Sequence, residues 1–313
     1  MNATSEIARL LAHTKDAVRF EGLAKKAISF LNQDAKDDGS GGLWNGSSLS
    51  GHYIDRWSDK RHVSYVLEDQ VEAVFHDAGV VPPNRVAMML ESFDASGSEG
   101  DYGVRETYPY IDSNLTMGQA PGCYHNGGIW PWLNCVDVVT RMEHGHVAAG
   151  QRIFRKMSKR MLYDQPAGWV PAGGLPLNYE WMHGETGADN GGHPQGWNAA
   201  CVMVGWRGHF GLRRQGLHEY RVHVRGVVSG TVSVLPLAPE HGFLHVTVLG
   251  ESKIRVVQLT NATSALPETA DLAASSMQHA SPADIVPVVR LGVPIVCLNP
   301  VRISMLTAQS TVM

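Results

Sequence analysis

Up to about residue 206, apolar residues return at every third or fourth position, the spacing of one buried helix face. Over 1–32, Ala17, Phe20, Leu23, Ala24, Ala27, Ile28 and Leu31 share such a face and predict helix. A second helix is expected over 66–78, with Val66, Leu67, Val71, Val74 and Phe75 on its apolar side. Pro82-Pro83-Asn84 stops it and opens another over 85–93, with Asn84 as cap, so the two read as a helical hairpin. The pattern resumes over 129–144, begun by Trp130-Pro131-Trp132 and ended by Gly145. Residues 147–163 return as its partner, and His193-Pro194 opens a final helix to residue 206.

The segments between are long. Residues 34–42 are charged and glycine-rich, whereas 43–61 carry Trp44, Tyr53 and Trp57 without a clean period and read as a structured loop or short hairpin. Residues 94–122 form a long loop, and its aromatic run, Tyr102, Tyr108 and Tyr110, argues against disorder. Residues 166–187 read as loop. From 217 the period shortens to two, and 220–228, 231–237, 243–249 and 254–259 are expected as strands of a small antiparallel sheet. A short helix is expected over 270–280, while 291–306 is apolar and β-branched, either a strand covering the sheet or a tail. The fold class is mainly α: helix pairs joined on one side by aromatic loops, over 1–206, then a β-rich region over 207–313. Stacked pairs of this kind build toroids or solenoids whose loops gather on one face.

Composition narrows the function classes. A net charge of -4 over 313 residues gives no argument for nucleic acid or an acidic membrane surface. No apolar run approaches the roughly 20 residues that span a membrane, and the first 20 residues, holding Glu6, Lys15 and Asp16, make a poor signal peptide. None of the four cysteines, Cys123, Cys135, Cys201 and Cys297, has metal-ligand spacing from another. Cys135 and Cys201 fall in apolar runs where a free thiol serves as a small hydrophobe. A reduced, cytoplasmic setting is the simpler expectation. The 15 histidines are scattered, and no metal or organic cofactor is implied.

Two stretches concentrate the chemistry. Tyr124-His125-Asn126-Gly127-Gly128-Ile129-Trp130-Pro131-Trp132 and Asn178-Tyr179-Glu180-Trp181-Met182-His183-Gly184-Glu185-Thr186-Gly187, continued by Gln195-Gly196-Trp197, crowd aromatics, amides and carboxylates into loops that open helices. A sugar presents apolar ring faces edged by hydroxyls. Aromatic rings match the faces, and amides and carboxylates match the hydroxyls. Glu180, flanked by Tyr179, Trp181 and His183, is the first candidate for proton transfer, and Glu185 the second. Each also has a structural reading, as a solvated loop carboxylate or a turn cap. Trp130 and Trp132 are candidate sugar platforms or core plugs. Arg105 could clamp a carboxylate or pair with its own neighbours. Tyr108, Tyr124, Asn126, His183, Gln195 and Trp197 complete the candidate binding set, with turn shaping as the alternative for Asn126.

The two stretches, with Tyr53-Ile54-Asp55-Arg56-Trp57, Leu67-Glu68-Asp69-Gln70 and Arg105-Glu106-Thr107-Tyr108 in support, resemble the C-terminal part of the (α/α)6-toroid glycoside hydrolases. The likeness is greatest to the mannosylglycerate and glucosylglycerate hydrolase type, among relatives of processing α-glucosidases, trehalases and the debranching-enzyme glucosidase, and covers about residues 20–206. The resemblance implies inverting hydrolysis of an α-linked glucoside or mannoside with Glu180 as general base. The family's general acid is an aspartate after a tryptophan, and no such pair occurs here, since Trp44 is followed by Asn45. With about half the family's helices, the chain matches the C-terminal part of such an enzyme. A partner chain or self-association would then complete the barrel, and an apolar face would await the missing helices. The alternative is a catalytically inert carbohydrate-binding or structural remnant.

Overall fold

The computed structural model describes residues 2–36, 40–46, 51–54, 65–75, 80–114, 116, 118–162, 179–192, 195–209, 211, 213–214, 219–221, 232–236, 243–250, 253–259 and 288–290. They are mainly helical, with small antiparallel sheets, and the chain divides into two compact units, Met1–Cys201 and Val202–Met313.

In the first unit, α1 (Asn2–Leu10) packs on α2 (Thr14–Leu31) after a turn at Ala12, with Ser5 Oγ bonded to Ala17 O at 3.0 Å. The helices meet through small residues: Ala8, Ala17 and Ala24 are buried. The broad apolar face expected for α2 is therefore mostly not in the core, and Leu23 is 41% exposed. Ile7, Leu10, Leu11, Val18 and Phe30 are exposed as well.

The aromatic stretch after residue 43 is a hairpin, β1 (Trp44–Gly46) paired with β2 (Gly51–Tyr53). Trp44 and Tyr53 oppose one another, with ring centroids 5.1 Å apart, and gather Val74, Val81, Val86, Met89 and Leu90 around them. The Gln70 amide clips this strand, accepting from Tyr53 N–H and donating to Tyr53 O, both at 2.9 Å. A short strand β3 (Tyr65–Val66) leads into α3 (Leu67–Phe75) and pairs with β4 (Thr107–Tyr108). Helix α4 (Pro83–Ser96) starts slightly earlier than the sequence implies: Pro82 is the cap, Pro83 the first helical residue and Asn84 lies inside. The expected α3–α4 hairpin is also revised. α3 packs on α5 (Pro131–Glu143), and α4 packs on β2. The two helices still share a core, since Val74 of α3 and Val86, Met89 and Leu90 of α4 lie in the cluster around Trp44 and Tyr53.

α5 is the scaffold. Every residue from Leu133 to Met142 is buried, polar ones included. Three of its polar side chains, Asn134, Asp137 and Arg141, are bonded in place, while the buried Thr140 hydroxyl has no partner among the described residues. Asn134 accepts from Val104 N–H at 2.7 Å and donates to Val104 O at 2.9 Å, while Arg141 joins Asp137 at 2.9 Å and Asp94 at 2.6 Å. After Gly145, whose φ of 89° suits glycine, α6 (Val147–Leu162) folds back onto α5. The helices approach closely at Gly150, where a Cβ would stand 2.9 Å from Met142 Cγ and 3.0 Å from Val138 O.

Two short strands, β5 (Trp181–Met182) and β6 (Asp189–Asn190), form a hairpin, followed by a 3-10 turn, Gly196–Val202. The helix expected over 193–206 is present in the described residues but not as an α-helix: they form the 3-10 helix Gly196–Val202 and then the π-helix Val204–His209. Cys201 is bonded to Cys135 of α5, Cα to Cα 5.2 Å, and Asn198 is tied to two backbones, so tertiary links set the path. That disulfide corrects the expectation of unpaired thiols at both positions, and Cys123 is the free cysteine among the described residues. No helix of the described residues is long and apolar enough to cross a membrane.

Among its described residues, the second unit holds a π-turn (Val204–His209) and two three-stranded sheets. β7 (Arg213–Arg214), β8 (Glu219–Arg221) and β12 (Val288–Arg290) form one, with β8 central. β9 (Val232–Pro236), β10 (Phe243–Gly250) and β11 (Lys253–Leu259) form an antiparallel meander that matches three expected strands. The fourth, β8, joins the other sheet. Expectations for 270–280 and 291–306 lie outside the described residues.

Two expected outcomes follow from this packing. Gly150→Val lowers unfolding stability by about 1–3 kcal/mol, because branched carbon must fit between α6 and α5. Urea denaturation with an unchanged midpoint would refute the close approach. The second concerns Glu99, which bonds Arg152 at 2.7 Å and Lys156 at 2.7 Å. Burial raises its pKa, but the bonds from Arg152 and Lys156 outweigh burial and bring it from 4.5 to about 2. Its folded pKa is depressed, so its contribution is complete above about 4.5 and is lost as pH falls through about 2. The fall in stability between those values should flatten in Glu99→Gln, and parallel pH–stability curves for the two proteins would contradict it.

Candidate functional site

The two chemistry-bearing stretches are bonded to one another. Ile129 and Met182 exchange both backbone hydrogen bonds, each 2.8 Å, and Gly184 N–H donates to Gly122 O at 2.8 Å. A third loop joins them through Glu106 N–H to Gly128 O at 2.9 Å. Gly184 sits where a Cβ would run into the Gly127 carbonyl, so the close approach admits no side chain. Asn198 ties in the 3-10 turn: its Oδ1 accepts from Trp132 N–H at 3.0 Å and its Nδ2 donates to Tyr179 O. Beneath the β5–β6 hairpin, Arg160 reaches Gly187 O at 2.9 Å and Asp189 at 3.0 Å. Tyr179 is fully buried beside them, and burial, then the Asp189 carboxylate, raise its phenol pKa.

This frame assembles an aromatic cluster. Trp130 is buried, and its ring centroid lies 5.1 Å from those of Tyr124 and His125 and 6.3 Å from that of Trp197. Tyr124 stands 6.0 Å from Trp181. Trp197 is 46% exposed, so the cluster runs from core to surface. Trp132 is half-buried and supplies its backbone N–H to Asn198.

Three glutamates stand in these loops among the described residues, each in different company. Glu180 is half-buried, and its Oε2 accepts from Gly192 N–H at 2.8 Å. A Cβ on Gly192 would lie 3.5 Å from Gln195 Nε2 and 3.7 Å from Glu180 Oε2, so Gln195 and Glu180 flank one glycine. Glu185 is bonded by the Tyr110 hydroxyl and by Arg105 at 3.1 Å. The Tyr110 bond, then the Arg105 charge, hold its carboxyl below the usual range. In return, burial and then Glu185 push Tyr110 up to about 12, which keeps the phenol protonated and donating. Arg105 also donates to Gly97 O at 3.1 Å and lies 5.1 Å over the Tyr108 ring. Its ion-pair partner is therefore Glu185, not a sequence neighbour. Glu106, 4% exposed, is the third carboxylate, with His125 Nδ1 at 2.7 and 3.0 Å.

Two candidate binders act on the loops themselves. Asn126 is fully buried, accepts from Ile111 N–H at 2.8 Å and donates to Ile111 O and Gln119 O at 2.9 and 3.0 Å. His183 Nδ1 accepts from Glu185 N–H at 3.1 Å and closes the turn that follows. Sequence reasoning passed over Glu106, Tyr110 and the His125 contact, because each partner is distant in the chain. The signal available was a glutamate next to arginine inside an aromatic loop. Among the described residues, no group of three or more His, Cys, Asp or Glu could hold a metal ion.

No protein-family model matches the chain, and no curated protein matches it. Solved structures are similar over parts of their length. A GH63 mannosylglycerate hydrolase from Thermus thermophilus, in complex with glucose, is 17% identical with a TM-score of 0.38, over 52% of this chain and 36% of that one. An uncharacterized conserved protein from Thermus thermophilus is 18% identical with a TM-score of 0.35, over 49% and 34%. A sialidase is 17% identical with a TM-score of 0.49, over 71% and 20%. The chain spans about a third of the length of the first two. Likeness of this degree carries no functional argument, and the site's own residues must supply one.

Removing the Asn198 tie tests the frame. Asn198→Ala leaves Trp132 N–H and Tyr179 O without their partner and should cost about 1–3 kcal/mol of stability. The emission of the Trp130–Trp197 pair should change with it. Wild-type emission together with a wild-type denaturation midpoint would show that the turn is held some other way.

Proposed function

We propose that this chain carries the base half of an inverting glycoside hydrolase site acting on an α-linked glucoside or mannoside. The observation that carries the reading is the half-buried Glu180 carboxylate, held by Gly192 N–H on a hairpin bonded directly to the aromatic loop of Tyr124 and Trp130. Glu180 takes a proton from water as the water attacks the anomeric carbon, while an acid protonates the departing oxygen and the glycosidic C–O bond breaks. In an inverting site the two carboxyl groups stand roughly 6.5–9.5 Å apart, leaving room for that water. Aromatic faces at Trp181 and Trp197 suit a pyranose ring and Gln195 its hydroxyls, while Trp130, buried and stacked on His125, supports the cluster from within. The motif resemblance supports the same reading, including an (α/α)6 toroid of which these helix pairs form part. It also names glucosylglycerate and mannosylglycerate as first substrates to try. A glycerate carboxylate seeking Arg105 would compete with Glu185, which already holds the guanidinium.

A binding-only reading is favoured by one observation. Glu185 and Glu106 are engaged by Arg105 and His125, so neither offers an uncommitted acid. Under the hydrolase reading, a partner chain or second copy would supply the missing acid; under the binding-only reading none is needed.

Product anomers followed by NMR on a panel of α-glucosides, α-mannosides, glucosylglycerate and mannosylglycerate separate the two. Turnover with inversion, cut about 10²–10⁴-fold in Glu180→Gln while sugar binding persists, is the expected result for the hydrolase. Full activity in Glu180→Gln removes Glu180 from the mechanism. Binding without turnover in the wild type supports the binding-only reading.

A further inference from the structure

His125 is held by ring contacts and by a buried carboxylate. Its ring lies nearly parallel to Trp130, planes 13° apart, and meets Tyr124 edge-on with centroids 4.1 Å apart. The side chain is nonetheless 50% exposed, so it contributes little apolar burial. Its partner Glu106 is 4% exposed, and taking a carboxylate out of water is costly. Glu106 is itself anchored at both ends of its backbone, by Gly128 O at 2.9 Å and Leu67 N–H at 2.7 Å. A carboxylate at Nδ1 holds the ring proton there. Nε2 then accepts a hydrogen bond in the neutral ring and donates one in the charged ring. Both the ring plane and the tautomer of a surface imidazole are thus set by a buried acid, the device by which enzymes orient a working histidine.

We propose that His125 is a ligand-contacting residue, its Nε2 hydrogen-bonding a hydroxyl of an α-glycoside seated at the Tyr124–Trp130 cluster, with Glu106 as the residue that positions it. The inference rests on the glycoside reading and adds a contact from a residue outside the Glu180 hairpin. It also gives Glu106 a role acting through His125 rather than on the substrate.

The test is a titration of the full chain, labelled with ¹⁵N, by methyl α-glucopyranoside and methyl α-mannopyranoside, reading imidazole and indole resonances together. Before sugar, His125 should show the Nδ1–H tautomer. With sugar, its Nε2 resonance and the indoles of the cluster should move with the same midpoint. Glu106→Gln should lose the tautomer preference and bind about tenfold more weakly, the loss of one hydrogen bond's net contribution, and Glu106→Asp should recover part of both. Indole shifts with an unmoved His125 overturn this inference and leave the glycoside reading standing. No indole shift with either glycoside overturns both. The wild-type titration decides even where a Glu106 variant fails to fold.

Discussion

The site depends on the two-way backbone pairing of Ile129 with Met182. Loops carry polar backbone that must be bonded somewhere, and long loops lose much entropy in staying in one shape. Here each loop provides the other's partners. Both paired residues are fully buried, so their hydrogen bonds are sheltered from water and hold Tyr124, Trp130 and Trp181 within stacking distance. Gly184 and Gly128 then read as consequences, since pairing at this closeness leaves no room for side chains.

The pairing is precise because α5 beneath it is rigid. A helix buried on all sides usually carries only apolar residues. α5 instead buries Asn134, Asp137 and Arg141 and gives each a bonded partner, so sliding or rotation of the helix would leave several polar groups stranded. Asn134 reaches Val104, two residues before Glu106, and the helix N-terminus carries Trp130 and Trp132. One element thus locates both the aromatic loop and the loop bearing Arg105 and Glu106. The disulfide from Cys135 extends the same control to the turn holding Trp197 and Asn198.

What could be read from the sequence was what local spacing encodes. The helices beginning at Pro131 and Val147, the Gly145 stop and the β9–β11 meander follow from period and turn residues, and the structure has them within a few positions. The convergence of the two aromatic loops was legible only as shared composition. What could not be read depends on partners far along the chain. The Cys135–Cys201 bond, the Glu106–His125 contact and the Arg105–Glu185 pair all join distant residues, and no periodicity reports them. The buried face of α2 was misjudged for a related reason: Ala17 and Ala24 permit close packing on α1, so small residues rather than large ones went inside.

The company each carboxylate keeps separates their capacities. Glu185, with a guanidinium and a phenol on its oxygens, is held ionised and has its lone pairs occupied, which suits an anchor better than a base. Glu106, buried against an imidazole, can influence a ligand through that ring but has little direct access to water. Glu180 has a backbone N–H on one oxygen and partial exposure, and the glycines just past the facing strand let backbone approach its carboxylate closely. A water to be activated needs an acceptor that is reachable, oriented and not already paired with a cation. Under the proposed reading Glu180 fits those conditions better than the other two, and Gly191 permits its contact with Gly192 N–H, since a Cβ at 191 would stand 2.5 Å from Glu180 Oε2.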